Sequence, residues 1–380
     1  MRYRKFGKLD WNASALGFGA MRLPIKGADD AKIDEAKAIH MIRYAIDHGV
    51  NYVDTAYPYH KGYSEVLVGK ALKNGYREKV RVATKMPTWL VNSQRDMNKF
   101  LRIQLRRLQV DQIDFYLLHG LGKKVWPKLK RLGVFDWAER KIQQGKIGYL
   151  GFSFHDEYPL FKKIVDSYDW TFCQIQYNYV DTEYQAGRRG LKYAASKGLP
   201  IIVMEPIAGG NLAATPPKAV QAIWNQAGIH SKPAKLALQW VWNHPEVSIV
   251  LSGMSTLEQV KENLHTANTS IPNSLTQKEL KIFDRVAKKY NETGLLGCTG
   301  CRYCMPCLQG VDIPKILSLY NEYLAKERDN DIKRKYWEEI TPENRANLCI
   351  RCRRCEKLCT QHLPIGEILS RASWIFDQNL

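Results

Sequence analysis

The sequence predicts an α/β fold, a closed (β/α)8 TIM barrel followed by a small, mostly helical, cysteine-rich C-terminal domain. Three observations carry this. Upstream of about residue 290, eight short apolar runs alternate with longer amphipathic stretches, as expected when each parallel strand returns through a helix. The length, 380 residues, exceeds one ordinary domain and leaves room for a second. Of the nine cysteines, all but Cys173 lie from Cys298 onward, in two clusters.

The strands are expected at Ala15 to Ala20, Asn51 to Asp54, Val80 to Lys85, Ile113 to His119, Ile147 to Ser153, Phe172 to Tyr177, Pro200 to Glu205 and Val247 to Ser252. Between them, stretches such as Ala36 to His48 and Asn98 to Leu108 space their apolar residues at helical period. Eight βα units in about 290 residues suit a closed barrel. A doubly wound dinucleotide fold is the competitor, but Gly17-Phe18-Gly19 continues as Ala20-Met21-Arg22, so GxGxxG fails at its last glycine. No Walker A sequence is present. A barrel over residues 1–290 and a second domain over 291–380 follow, the boundary falling where the helix Gln277 to Tyr290 gives way to Gly294, Gly297 and the first cysteines.

At 45% hydrophobic and 25% charged residues the chain has the composition of a globular protein with a sizeable core. No apolar run approaches the roughly 18 residues of a membrane span. The start MRYRKFGKLDWN lacks the apolar core of a signal peptide, so a cytoplasmic location is the expectation. The net charge of +19 suits phosphate-bearing ligands. The excess lies almost wholly upstream of Cys298, because the tail from there holds 13 basic and 11 acidic residues.

In such a barrel, polar residues that end apolar strands surround one mouth. Three consecutive strands supply them: Asn-Tyr-Val runs into Asp54, Val-Arg-Val-Ala-Thr into Lys85, and Phe-Tyr-Leu-Leu into His119. Tyr59 lies five residues beyond Asp54. Each alone has an ordinary structural explanation, as a cap, a solvated end or a core histidine. Together they form a chemical set. An ammonium within about 4–6 Å stabilises a phenolate, a carboxylate such as Asp54 holds that ammonium, and His119 can hydrogen-bond a substrate oxygen. The set suits proton donation to a carbonyl oxygen as hydride reaches carbon.

Here the sequence resembles the aldo-keto reductase family over roughly residues 2 to 290. Asp54-Thr55-Ala56-Tyr57-Pro58-Tyr59 with Ser64-Glu65 looks like the family's DTAxxY segment and its downstream SE, while Ala83-Thr84-Lys85 and Leu117-Leu118-His119 match its lysine and histidine strands. The resemblance implies a catalytic tetrad of Asp54, Tyr59, Lys85 and His119, with NADP or NAD across the barrel mouth and a small carbonyl or alcohol substrate. Cofactor contacts follow from looser matches. Ser153 in Gly151-Phe152-Ser153 resembles the family's GxSN serine, with Phe154 where asparagine is usual. Gln174 is similar to its carboxamide-binding glutamine, and Met204 stands where an aromatic residue often stacks on nicotinamide. Pro206, Gly209, Gly210 and Leu212 look like the pyrophosphate loop, where glycines let backbone amides approach an anion. Gly253, Ser255, Gln259 and Asn263 resemble the adenosine-side segment, with Gly253 and Gln259 in place of basic residues that many members set against the 2'-phosphate.

The tail cysteines read as metal ligands, since a disulfide framework would need an oxidising compartment. Cys349, Cys352, Cys355 and Cys359 fit the CxxCxxCxxxC run of bacterial dicluster ferredoxins; Cys298, Cys301, Cys304 and Cys307 have one residue fewer before the fourth cysteine. Leu308 and Thr360 replace the usual following proline. The resemblance implies two 4Fe-4S clusters, with Cys359 joining the first three cysteines and Cys307 joining Cys349, Cys352 and Cys355. Zinc is the alternative, though tetrathiolate zinc sites usually pair two separated CxxC knuckles.

Two readings of the join stay open, because nicotinamide exchanges two electrons as a hydride whereas each cluster passes one. The clusters could staple the tail beside an ordinary carbonyl reductase. They could instead relay electrons to a ferredoxin or other carrier, with a flavin between the two modes, although no flavin motif is recognisable. A third reading, a basic nucleic-acid-binding protein with a metal-stapled tail, lacks any recognition-helix or aromatic RNP pattern.

Overall fold

The computed structural model describes residues 1–27, 29–326 and 328–377. A two-stranded antiparallel hairpin, β1 (Tyr3–Lys5) and β2 (Asn12–Ser14), precedes eight parallel strands: β3 (Leu16–Gly19), β4 (Tyr52–Asp54), β5 (Arg81–Met86), β6 (Ile113–Leu121), β7 (Ile147–Phe154), β8 (Phe172–Gln176), β9 (Ile201–Met204) and β10 (Val247–Gly253). They close in sequence order, with β10 pairing both β9 and β3. All eight expected strands form, each within two residues of the expected ends.

The barrel interior is filled from below by Tyr52, Ala83, Phe115, Leu117, Phe172, Ile202 and Ile249, all fully buried. The hairpin, which the sequence reading missed, closes this end: Phe6 packs edge-on to Phe115 with ring centroids 5.3 Å apart. Arg4 fastens the hairpin by donating to the carbonyls of Val247 at 2.5 Å and Trp242 at 2.6 Å. Neither Tyr3-Arg4-Lys5 nor Asn12-Ala13-Ser14 carries the apolar run that marks the barrel strands.

The helices begin on conventional caps. Ser93 starts Gln94–Leu108 by accepting the Asp96 amide, and Thr276 with Glu279 forms a capping box for Gln277–Glu292. Among the described residues no helix is long and apolar enough to cross a membrane.

The chain divides into two compact units, Met1–Pro206 with Leu238–Leu275, and Ile207–Ala237 with Thr276–Leu380. The first holds all the strands. The second contains the segment after β9 together with the cysteine-rich tail. Its own core gathers Val311, Ile316, Leu317, Tyr320, Tyr336, Ile365, Leu369 and Phe376. Helix Ile313–Ala325 is followed by a charged stretch that forms a further helix, Asn330–Glu339. That stretch folds because Ile332 and Tyr336, one turn apart, supply a buried face.

Candidate active site

The register of the barrel assembles the mouth. Asp54 pairs with Ala83 and Lys85 with Leu117. Lys85 and His119 each lie two residues past those partners, so strand alternation turns Asp54, Lys85 and His119 to the same inward face. All three are buried, at 3%, 1% and 4% exposure. Lys85 Nζ donates to Asp54 Oδ1 at 2.5 Å and to the Thr55 carbonyl at 2.9 Å. It lies 5.2 Å from the centroid of the Tyr59 ring, and the Tyr59 and His119 rings meet edge-on at 6.3 Å. The four residues therefore converge.

Tyr59 reaches this point because of an unusual turn. His60 and Lys61 take left-handed backbone angles (φ 51° and 53°), and Gly62 follows at φ 95°. Such a run costs free energy and persists only where surroundings hold it. Buried His60 provides the hold, accepting the Leu23 amide at Nε2 and facing the Asp30 carbonyl with Nδ1 at 2.8 Å.

Burial raises the Asp54 carboxyl and lowers the Lys85 ammonium, opposed in both by their mutual attraction. Fully buried Glu65 also favours the charged lysine. Glu65 is fixed by Thr84 and Gln104, each at 2.7 Å, and by Arg107 at 3.0 Å. Gln104 donates as well to the Lys85 carbonyl at 2.9 Å. His119 is held well below its ordinary value by burial, then by Lys85 and His155, so its ring is neutral at neutral pH.

Ser153, Gln174 and Met204 lie on neighbouring strands, with Ser153 paired to Gln174 in register. Ser153 Oγ accepts the Gly120 amide at 2.8 Å. Gln174 Nε2 points to Met204 Sδ at 3.5 Å, and its buried Oε1 accepts no hydrogen bond among the described residues. An acceptor buried this way fits a ligand that brings its own N–H donor, such as a carboxamide. Phe154 packs on Phe161 at 5.2 Å and has no group to replace the family's asparagine.

After β10, Ser255 donates to the Arg22 carbonyl, and its amide is accepted by Gln259 Oε1 at 2.7 Å. Asn263 is partly structural, donating to Ser252 Oγ at 3.0 Å. A side chain on Gly253 would meet Arg22 Cγ at 2.6 Å, so Arg22 packs over the strand end where Gly253 and Gln259 carry no charge.

In the second unit, Gly209 and Gly210 lie in a tight turn at φ 68° and 110°. The amides of Gly210 and Leu212 return to the Ile207 carbonyl and that of Asn211 to Ala208. The close approach that glycine permits at 209 is to the tail, since a Cβ there would lie within 2.6 Å of the Thr299 backbone. Asn211 donates to the Cys298 carbonyl at 2.9 Å. Pro206 ends the first stretch of the first unit just before this turn.

Among the cysteines, the Cys304 thiol is pushed up by burial and then by Cys301, Cys298 and Cys359. Cys301 Sγ lies 3.8 Å from Thr360 Oγ1, so the residue after Cys359 sits beside the first motif. Cys355 is raised to about 11, chiefly by burial, with Cys349 contributing. Downstream of Cys307, Gly310 accepts from Asn344 and Asp312 donates to it, tying that arm to the approach to Cys349. Among the described residues no three His, Cys, Asp or Glu side chains close on a single ion. Cys173 is fully buried in the barrel wall.

The sequence reading passed over Trp89 and His155. Trp89 meets the His119 ring edge-on at 5.2 Å, and His155 Nδ1 lies 3.2 Å from Gln185 Oε1. Applied one residue further, the rule of polar residues ending apolar strands would have found His155 just after β7.

Residues 15–288 match the Aldo/keto reductase family. The chain belongs to that family. Residues 297–364 match a 4Fe-4S dicluster domain, so this aldo/keto reductase family oxidoreductase carries a ferredoxin-type domain with eight clustered cysteines. It is similar to the uncharacterized oxidoreductase YrpG of Bacillus subtilis, with 25% identity over 330 residues, covering 74% of this chain and 96% of that protein. The holo form of aldo-keto reductase AKR11C1 from Bacillus halodurans superposes with TM-score 0.64 and 28% identity, covering 75% of this chain and 96% of that one. An aldo-keto reductase from Klebsiella pneumoniae in complex with NADPH gives TM-score 0.60 at 25% identity, covering 75% and 95%.

Proposed function

We propose that the barrel, assigned to residues 1–290, is an NADPH-dependent carbonyl reductase acting on a small aldehyde or ketone, or on the matching alcohol in reverse. The dicluster domain, assigned to residues 291–380, holds two 4Fe-4S clusters on its eight cysteines. The convergence of Asp54, Lys85, Tyr59 and His119 carries the reading of the barrel.

A nicotinamide supplies the hydride when bound. Tyr59 gives its proton to the carbonyl oxygen as that oxygen gains charge. Lys85 stabilises the negative charge left on the phenol, and Asp54 keeps the lysine fixed and protonated. Neutral His119 donates an N–H to the same oxygen and orients it. Gln174 Oε1 and Ser153 Oγ are assigned to the carboxamide, and Met204 to the ring face. Arg22, packed over Gly253, is taken as the cation for the 2'-phosphate that Gly253 and Gln259 cannot supply, which favours NADPH over NADH.

A second reading has a specific observation behind it. Exposed Cys352 brings the second cysteine motif to the surface, which suits clusters that exchange single electrons with an outside carrier.

Anaerobic purification tests both parts. Brown protein with about eight irons per chain and NADPH-dependent reduction of simple aldehydes is expected. Colourless, zinc-loaded protein would refute the clusters, yellow protein with extractable flavin would favour the second reading, and absence of carbonyl reduction would refute the first.

A further inference from the structure

We propose that the surface around Cys349–Cys359 is the docking site for an acidic one-electron carrier protein. The inference rests on the reading that these cysteines hold a cluster, and it adds the partner and the residues that recognise it.

The two cysteine motifs lie in contrasting surroundings. The first has its four cysteines half-buried, with Thr299 buried and the backbone at 298–299 packed under Gly209 and Asn211. The second faces outward. Cys352 is exposed, and Arg351, Arg353, Arg354 and Lys357 around it are exposed as well. The one acid in the motif, Glu356, is turned away and half-buried, its Oε1 accepting the Gly366 amide at 2.9 Å. Four cations thus surround the motif with no exposed acid between Cys349 and Cys359. This is not the chain's general basicity, since the tail from Cys298 is nearly balanced at 13 basic and 11 acidic residues.

The patch also exposes apolar side chains. Ile350 and Leu358 are 63% and 42% exposed. Arg351 Nε donates to Ser370 Oγ at 3.0 Å on the last helix, Ile365–Phe376. Trp374, one turn beyond Ser370 on the same face and 68% exposed, continues the surface. Exposed apolar side chains beside a cluster of four cations are the chemistry of a transient protein interface, where the charges steer encounter and the apolar groups make contact.

The reaction at this surface is one electron passing from the reduced carrier to the oxidised cluster, or the reverse. One partner is oxidised by one and the other reduced by one, with no bond made or broken.

The test uses anaerobic holoprotein of verified iron content, with a plant-type [2Fe–2S] ferredoxin as acidic probe and a basic c-type cytochrome as control. Cluster reduction is followed by absorbance, and affinity for the oxidised ferredoxin by calorimetry. We expect the acidic probe to react at least about tenfold faster at 20 mM than at 500 mM salt. The pair Arg354→Glu and Lys357→Glu should slow it by about tenfold and weaken binding similarly, with dithionite reduction unchanged. The neutral pair Arg354→Gln and Lys357→Gln should fall between. Fully loaded protein whose reduction ignores salt and both variants overturns the docking surface alone. So does equal reactivity with the basic probe, or occupation of the patch by RNA in preference to ferredoxin. Protein without iron overturns the cluster reading and this proposal together.

Discussion

Lys85 holds its ammonium 5.2 Å from the centroid of the Tyr59 ring while clamped 2.5 Å from Asp54 Oδ1. The pair is almost wholly buried, so neither charge can be met by water if the other is removed. Lys85→Met should therefore lose about 3–5 kcal/mol of stability in urea denaturation. The double variant Asp54→Asn/Lys85→Met should recover part of that loss without recovering turnover. Unchanged stability of the single variant would mean that the pair is not buried as described.

The neutrality of His119 has a pH signature. Its folded-state value is lowered well below 6.5, so below about pH 6.5 the unfolded chain takes up a proton that the folded chain refuses, and stability falls with falling pH. The contribution is complete above that point and is lost progressively below it. Comparing His119→Gln with the parent by denaturation at pH 7.5 and 5.5 isolates it, because other groups contribute to both. The parent should lose more stability on acidification, by up to about 1.4 kcal/mol per pH unit; equal losses would contradict a buried, neutral imidazole.

Gly209→Ala should disrupt the contact between its turn and the tail. The backbone angle is left-handed and the added carbon would lie 2.2 Å from the Thr299 carbonyl oxygen. More than about 1 kcal/mol of destabilisation is expected, with faster hydrogen exchange around Cys298 and faster loss of iron in air. Exchange identical to the parent would show that the turn is not seated on that segment.

Arg22→Ala addresses cofactor choice. Loss of a charge-assisted contact to the 2'-phosphate should lower kcat/KM for NADPH by about tenfold or more and leave NADH nearly unaffected. Equal effects on both would remove Arg22 from that role.

The barrel was readable because each strand carries its own apolar run, and Asp54, Lys85 and His119 were readable because each ends one. The support beneath them was not. Gln104 sits mid-helix and looks solvated until the fold buries it against Glu65 and the Lys85 carbonyl. His60 is one of nine histidines in the sequence, and its grip on Leu23 and Asp30 depends on left-handed angles that no side-chain pattern announces. Gly209 and Gly210 invited an anion-binding reading, yet the nearest close approach at 209 is backbone from residues 90 positions away. The eight cysteines were legible from spacing alone, whereas the exposure of Cys352 beside seven half-buried cysteines appears only in three dimensions.

The central claim is that the Tyr59 hydroxyl supplies the proton. The direct measurement is single-turnover oxidation of NADPH by Tyr59→Phe with a saturating aldehyde, beside a fluorescence titration of NADPH binding. Hydride transfer slowed by about 10²–10⁴-fold with nucleotide affinity within about twofold of the parent is the predicted result. Transfer at the parent rate would contradict it.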